Sequence, residues 1–147
     1  MASPLPLKLK LQILCGDEVA MGPGKADLLE AIAQHHSISA AGRAMGMSYR
    51  RTWLLVDAMN RCWQGPLVAT TPGNQKAGAQ LTPLGEAILA QYRALQDEVE
   101  QVSTQRLTAL VDQLLLPSPR PQRHRDKQEG DKREGDEAPA DGPSAAA

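Results

Sequence analysis

The chain has 147 residues with 16 Lys+Arg against 17 Asp+Glu, a formal net charge of −1, so bulk charge neither demands nor forbids a polyanionic partner. Aromatics make up only 3%, with no Phe, so the core must be small and aliphatic. The two cysteines, Cys15 and Cys62, are too few for a disulfide framework or a structural zinc site. No apolar run reaches the roughly 18 residues of a transmembrane helix, and the alternating N-terminus is unlike a signal peptide; a soluble, cytoplasmic protein is expected.

Leu5 to Cys15 alternates apolar and polar residues with period two, the mark of a strand with one buried face. Gly16-Asp17-Glu18 supplies a turn, and Val19-Ala20-Met21 returns as a short second strand. After Gly22-Pro23-Gly24 a first helix begins near Lys25, with Leu28, Leu29, Ile32 and Ala33 on its apolar face, and ends near His35-His36. Ser39 is the expected cap of a short helix from Ala40 to Met45, closed by Gly46. Ser48 caps a longer helix to about Cys62, with Thr52 or Trp53, Val56 and Met59 inward.

Leu67–Thr70 and Ala79–Leu81 read as two strands joined by a hairpin tip at 72–78. Thr82 caps a last helix with Pro83 in its first turn, extending to about Leu116. Its residues Ile88, Tyr92, Leu95, Val99 and Val102 recur at spacings of four and three, a heptad seam suited to a second copy of the chain. From Pro117 to Ala147 no Val, Leu, Ile, Met or aromatic residue occurs, so this tail is expected to be disordered.

Two helices joined by a tight glycine turn, then a β-hairpin, match the winged helix-turn-helix plan. The expected fold is mainly α with small β-hairpins, carrying a long C-terminal dimerisation helix. Its parts would be a winged helix-turn-helix over 5–82, the dimerisation helix over 83–116 and the charged tail over 117–147. Ala40, Ala41, Gly42 and Ala44 are small enough for the second helix to cross closely, and Gly46 tolerates a left-handed turn. Ser48, Tyr49, Arg50 and Arg51 then fall at the start of the second helix, where arginine is suited to guanine and amides to phosphate. Asn74, Gln75 and Lys76 sit at the wing tip, within reach of a backbone or minor groove. Between Gly22 and Thr82 six basic residues (Lys25, Arg43, Arg50, Arg51, Arg61, Lys76) face three acidic ones (Asp27, Glu30, Asp57), a local positive excess in a near-neutral chain.

Several pieces, in this order, resemble a known family. They are Gly24-Lys25-Ala26-Asp27-Leu28-Leu29-Glu30-Ala31-Ile32, Ser37-Ile38-Ser39-Ala40-Ala41, Met47-Ser48-Tyr49-Arg50-Arg51-Thr52-Trp53, Met59-Asn60 and Leu81-Thr82-Pro83-Leu84-Gly85. Together they look like the DNA-binding domain of the ModE family of molybdate-dependent transcriptional regulators, which is itself similar to the N-terminal domain of LysR-type regulators. The resemblance spans about Leu7 to Leu110. It implies a homodimer on a palindromic double-stranded DNA operator, with Ser48 to Arg51 on the recognition helix, Lys76 in the wing, and target genes concerned with molybdenum. The family wing is denser in glycine than Gly73–Ala79. The residues after Leu116 do not have the makings of the molybdate-binding domains found in full-length members, so no anion-responsive mechanism is carried over.

Other chemistries are poorly served. Gly22-Pro23-Gly24-Lys25 lacks the first glycine and the hydroxyl of a phosphate-binding loop, since Val19 and Ala26 stand there. His35 and His36 project in different directions, nothing orders Ser, His and Asp into a catalytic set, and neither a metal, a cofactor nor an enzymatic activity is expected. A transcriptional regulator is the leading reading. Its rivals are a winged-helix protein-interaction module with little DNA binding, and a small-molecule or metal sensor using Cys15, Cys62 and the histidines.

Overall fold

The computed structural model describes residues 5–72 and 78–123. Its elements run β1 (Ile13–Cys15), β2 (Glu18–Met21), α1 (Pro23–His35), α2 (Ile38–Ala44), α3 (Tyr49–Cys62), β3 (Val68–Thr71), β4 (Gly78–Leu81) and α4 (Pro83–Leu114). Each strand pair is a two-stranded antiparallel sheet, β1 with β2 and β3 with β4. This is a winged helix-turn-helix preceded by a small hairpin and followed by a long helix. The chain divides into Met1–Gln113, treated below, and Leu114–Ala147. The tail expected to be disordered lies, from residue 124 on, outside the described residues, and residues 115–123 form neither helix nor strand.

The first strand is shorter than its alternating sequence suggests. A strand extends only as far as it has a partner, and β2 stops at Met21 because Gly22 leads directly into α1. The register also shifts between Ile13 and Leu14, which ends regular pairing. Upstream, the chain runs beside α4, where the Tyr92 hydroxyl donates to the Leu11 carbonyl at 2.7 Å.

Helix α1 starts two residues earlier than expected, with proline in its first turn, where a missing N–H costs nothing. It buries Ala26, Leu28, Leu29 and Ile32, while Ala33, one step round from Ile32, is exposed. Its end is set by His36 in the left-handed region (φ 55°), whose N–H bonds the Ile32 carbonyl at 2.8 Å. The His36 carbonyl accepts the Ala79 N–H at 2.9 Å, tying this cap to β4. A β-carbon makes that conformation unfavourable, so His36→Gly should stabilise the protein by about 0.5–1 kcal/mol in urea unfolding.

The cap of α2 is Ser37, not Ser39. Its Oγ accepts the Ala40 N–H at 3.1 Å, because the chain turns helical two residues sooner, at Ile38. Gly46 (φ 71°) makes the turn to α3. Ser48 caps α3 as expected, its Oγ accepting the Arg51 N–H at 3.1 Å. Of the two inward candidates, Thr52 is buried and Trp53 is not. Thr52 sits directly over Gly42, where an added β-carbon would lie 2.8 Å from Thr52 Cγ2, so the glycine sets how closely α2 and α3 cross.

The core gathers Leu28, Leu29 and Ile32 of α1, Ile38 and Ala41 of α2, Val56 and Met59 of α3, and Leu67 and Val68 of β3. Each large aliphatic among them contributes about 1.5–3 kcal/mol by leaving water. Asn60 then fixes the hairpin to α3: its Oδ1 accepts the N–H groups of Leu67 (2.9 Å) and Val68 (3.0 Å), and its Nδ2 donates to the Val68 carbonyl (3.1 Å). Arg93 of α4 bonds Asp27 (2.6 Å) and Glu30 (2.8 Å) of α1, which fixes the direction in which the long helix leaves.

Candidate nucleic-acid interface

With Thr52, Val56 and Met59 turned inward, the first turn of α3 must present its other faces to solvent. Ser48, Tyr49, Arg50 and Arg51 are all exposed there. Neither arginine has an ion-pair partner among the described residues. Ser48 is partly occupied as a cap, so its hydroxyl keeps its own proton and one lone pair to offer outward. The free N–H groups of this first turn point the same way and favour an anion.

Tyr49 is 67% exposed and leans on Trp53, itself 37% exposed, with ring centroids 6.0 Å apart and planes at 58°. Residues four apart share a helix face, so the two rings and the arginines form one surface. Trp53 also borders a hollow of about 220 Å³ between the start of α2 (Ser37, Ser39) and the wing strands (Thr70, Thr71). The aromatic pair completes a surface that sequence reasoning assigned to Tyr49 and the arginines. Its signal was the i, i+4 spacing of Tyr49 and Trp53.

Asn74, Gln75 and Lys76 lie outside the described residues. Strands β3 and β4 lead to them in register, Val68 opposite Leu81 through Thr71 opposite Gly78.

The local basic excess is redistributed by the fold. Arg61 is held by Glu18 (2.8 Å) and Asp57 (2.7 Å), so it adds little outward field. Those hydrogen bonds raise its pKa further and hold the Glu18 carboxyl below the usual carboxylate range. Lys25 is partly buried, which lowers its pKa, and it lies within Coulombic range of Arg51. The positive surface therefore centres on Arg50 and Arg51, with exposed Arg43 nearby in sequence on α2.

The seam along α4 is only partly available to a second copy. Tyr92 is buried within its own chain, its ring covered and its hydroxyl bonded to Leu11, because the N-terminal segment occupies that stretch of α4. Burial also pushes the Tyr92 phenol above its ordinary pKa. Leu95 and Val102 remain 45% and 51% exposed, and Ile88 and Val99 are half-buried. Ile88 and Leu95 line an open apolar groove of about 460 Å³ with Ile13 and Trp63. Among the described residues no cluster of three or more His, Cys, Asp and Glu could hold a metal ion, and no helix is long and apolar enough to cross a membrane.

The fold is that of a winged helix-turn-helix, with an exposed arginine-bearing turn at the start of α3. Comparison with curated proteins gives its relatives. The chain is 42% identical over 83 residues to a molybdenum-pterin-binding protein, MopB, of Rhodobacter capsulatus, covering 56% of the chain and 31% of that protein. It is 39% identical over 82 residues to the molybdenum transport protein ModE of Azotobacter vinelandii (55% and 30%). It is 30% identical over 118 residues to the DNA-binding transcriptional dual regulator ModE of Escherichia coli K12 (80% and 42%). The chain is thus homologous to the ModE and Mop proteins, over a region that amounts to less than half the length of each of these three. No family model matches it. Among solved structures, the DNA-binding domain of CbnR in complex with DNA aligns at a TM-score of 0.47 and 17% identity, covering 59% of this chain and 95% of that one.

Proposed function

We propose that the protein is a sequence-specific DNA-binding transcriptional regulator that acts as a homodimer on a palindromic operator, in genes of molybdenum uptake or molybdoenzymes. The carrying observation is the first turn of α3, which offers two exposed arginines, without an ion-pair partner among the described residues, at the outer end of a helix-turn-helix. Arg50 and Arg51 read base edges in the major groove, while Ser48, Tyr49, Asn74, Gln75 and Lys76 position the backbone. Residues 5–82 form the reading module, 83–116 the dimerisation helix and 117–147 a solubilising tail. Binding blocks or recruits polymerase, and no catalytic step is part of it. The molybdenum connection rests on homology to the ModE and Mop proteins.

A genomic-fragment selection with the purified protein, followed by anisotropy at several salt concentrations, tests the reading. The expected result is an enriched palindrome whose affinity falls with log salt at a slope of about −4 or steeper. Weak binding at low salt only, with no enrichment, would support a protein-interaction module instead.

The dimer is tested separately. Ile88, Leu95, Val99 and Val102 supply its apolar contacts, and Tyr92 supports them from within its own chain. Leu95→Glu with Val99→Glu should give monomers in ultracentrifugation and lower palindrome affinity by at least about tenfold, because a two-site grip becomes a one-site grip. An intact dimer would remove α4 from the interface.

A further inference from the structure

We propose that Cys15 and Cys62 form a dithiol site that hydrogen peroxide converts reversibly to an intrachain disulfide, stapling the β1–β2 hairpin to the end of α3. Both cysteines are free thiols, Cys15 exposed and Cys62 half-buried. Cys15 is the last residue of β1 and Cys62 the last of α3. They are far apart in sequence, and one carboxylate brings them together. The tight turn at Gly16 (φ 59°) and Asp17 places Cys15 directly across the hairpin from Glu18, so both side chains leave the same face. Glu18 reaches over to α3, where Arg61 grips it at 2.8 and 3.0 Å and the Cys62 thiol donates to it at 3.9 Å. Cys15 and Cys62 thus flank one carboxylate, Cys15 paired with Glu18 across the hairpin and Cys62 touching it from the end of α3. Burial and then the Cys15 sulfur push the Cys62 thiol above its ordinary pKa, which keeps its proton on sulfur and donated to Glu18.

The division of labour follows from exposure. The Cys15 thiolate attacks one oxygen of peroxide, giving a sulfenic acid and hydroxide, and the hydroxide takes up the proton that Cys15 released. Cys62 sulfur then attacks the Cys15 sulfur. The S–O bond breaks, and the departing hydroxyl takes the Cys62 proton as water. In sum two thiols and one peroxide become one disulfide and two waters, and a small-molecule thiol reductant reverses the change. The crosslink closes the whole stretch containing α1 and α2, and so restricts the unfolded chain. Cys62 stands about 20 Å along α3 from Tyr49, so the staple acts on the scaffold and its test needs no DNA.

The full chain is treated with stoichiometric peroxide, then read by intact mass, free-thiol titration and thermal melting. The expected product is a single chain lighter by two hydrogens, with no free thiol and a Tm higher by at least about 5 °C, restored to the starting state by dithiothreitol. Under the same treatment Cys62→Ser should stop at a sulfenic acid on Cys15 that dimedone traps, and Cys15→Ser should show no Tm rise. Retention of both thiols in the wild-type chain, or crosslinking of separate chains through Cys15, would overturn the site. A disulfide that lowers Tm would overturn the staple.

Discussion

Replacing Gly85 by alanine should cost the protein about 3 kcal/mol or more, a fall in Tm of over ~10 °C, although the residue lies in a helix where alanine is intrinsically preferred. A β-carbon at Gly85 would overlap the Leu67 carbonyl oxygen and approach the Leu67 carbonyl carbon to 3.0 Å. A backbone carbonyl cannot rotate away as a side chain can. This one also accepts the Thr82 N–H at 2.9 Å, so it is held from both sides. Thr82 completes the junction: its hydroxyl donates to the Pro66 carbonyl at 2.7 Å and accepts the Gly85 N–H at 3.0 Å. Relief of the clash would have to lift the first turn of α4 off β3 and disturb all of these bonds together. Gly24→Ala is the matching control. It too lies in the first turn of a helix, but an added β-carbon meets nothing within 4 Å, so that variant should keep or slightly raise the Tm. Equal melting of the two variants, measured side by side, would contradict the close approach.

The same junction shows what was legible in the sequence. Thr82 and Pro83 announced a helix start through general rules of capping, and the helix begins there. The reason for glycine three residues after the cap was not legible, because the obstacle is a carbonyl eighteen positions back in the chain. Gly42 is parallel: small residues foretold a close crossing, but only the fold shows Thr52 as the side chain that needs the space. Local signals failed where a distant partner decided the outcome. The alternation from Leu5 to Cys15 promised a long strand, but β2 was too short to pair with it, and the N-terminal segment was drawn to α4 instead. For the same reason the heptad spacing of Tyr92 was read as a contact with a second copy, while the chain itself buries that ring. The candidate DNA face was the more legible part, since Ser48 through Arg51 form one consecutive turn whose exposure follows from the inward stripe on α3. Arg61 was misjudged, because counting charges in sequence cannot see that Glu18, from another element, neutralises it.

That distinction among arginines gives the second large expected effect. Arg50→Ala with Arg51→Ala should reduce affinity for the selected operator on the order of a hundredfold, while leaving the melting temperature within about 1–2 °C. Both side chains are exposed and neither has an ion-pair partner among the described residues, so removing them takes nothing from the fold. Arg61→Ala is the informative comparison. It removes a guanidinium from the same helix and changes net charge by the same step as either single variant. Its charge is already answered by Glu18 and Asp57 at the opposite end of α3, so DNA affinity should change by less than about threefold. The single variants then separate reading from holding. An arginine bonded to a base edge should, when lost, relax sequence preference at one operator position at a cost of about 1–3 kcal/mol. An arginine on phosphate should weaken all sequences alike and flatten the salt slope by about one. Anisotropy with the operator and single-base variants, across salt, resolves the two for each residue. If the double variant binds within twofold of the wild type, α3 does not enter the groove by this turn. If Arg61→Ala proves as damaging as the pair, binding follows overall charge and not the presented face.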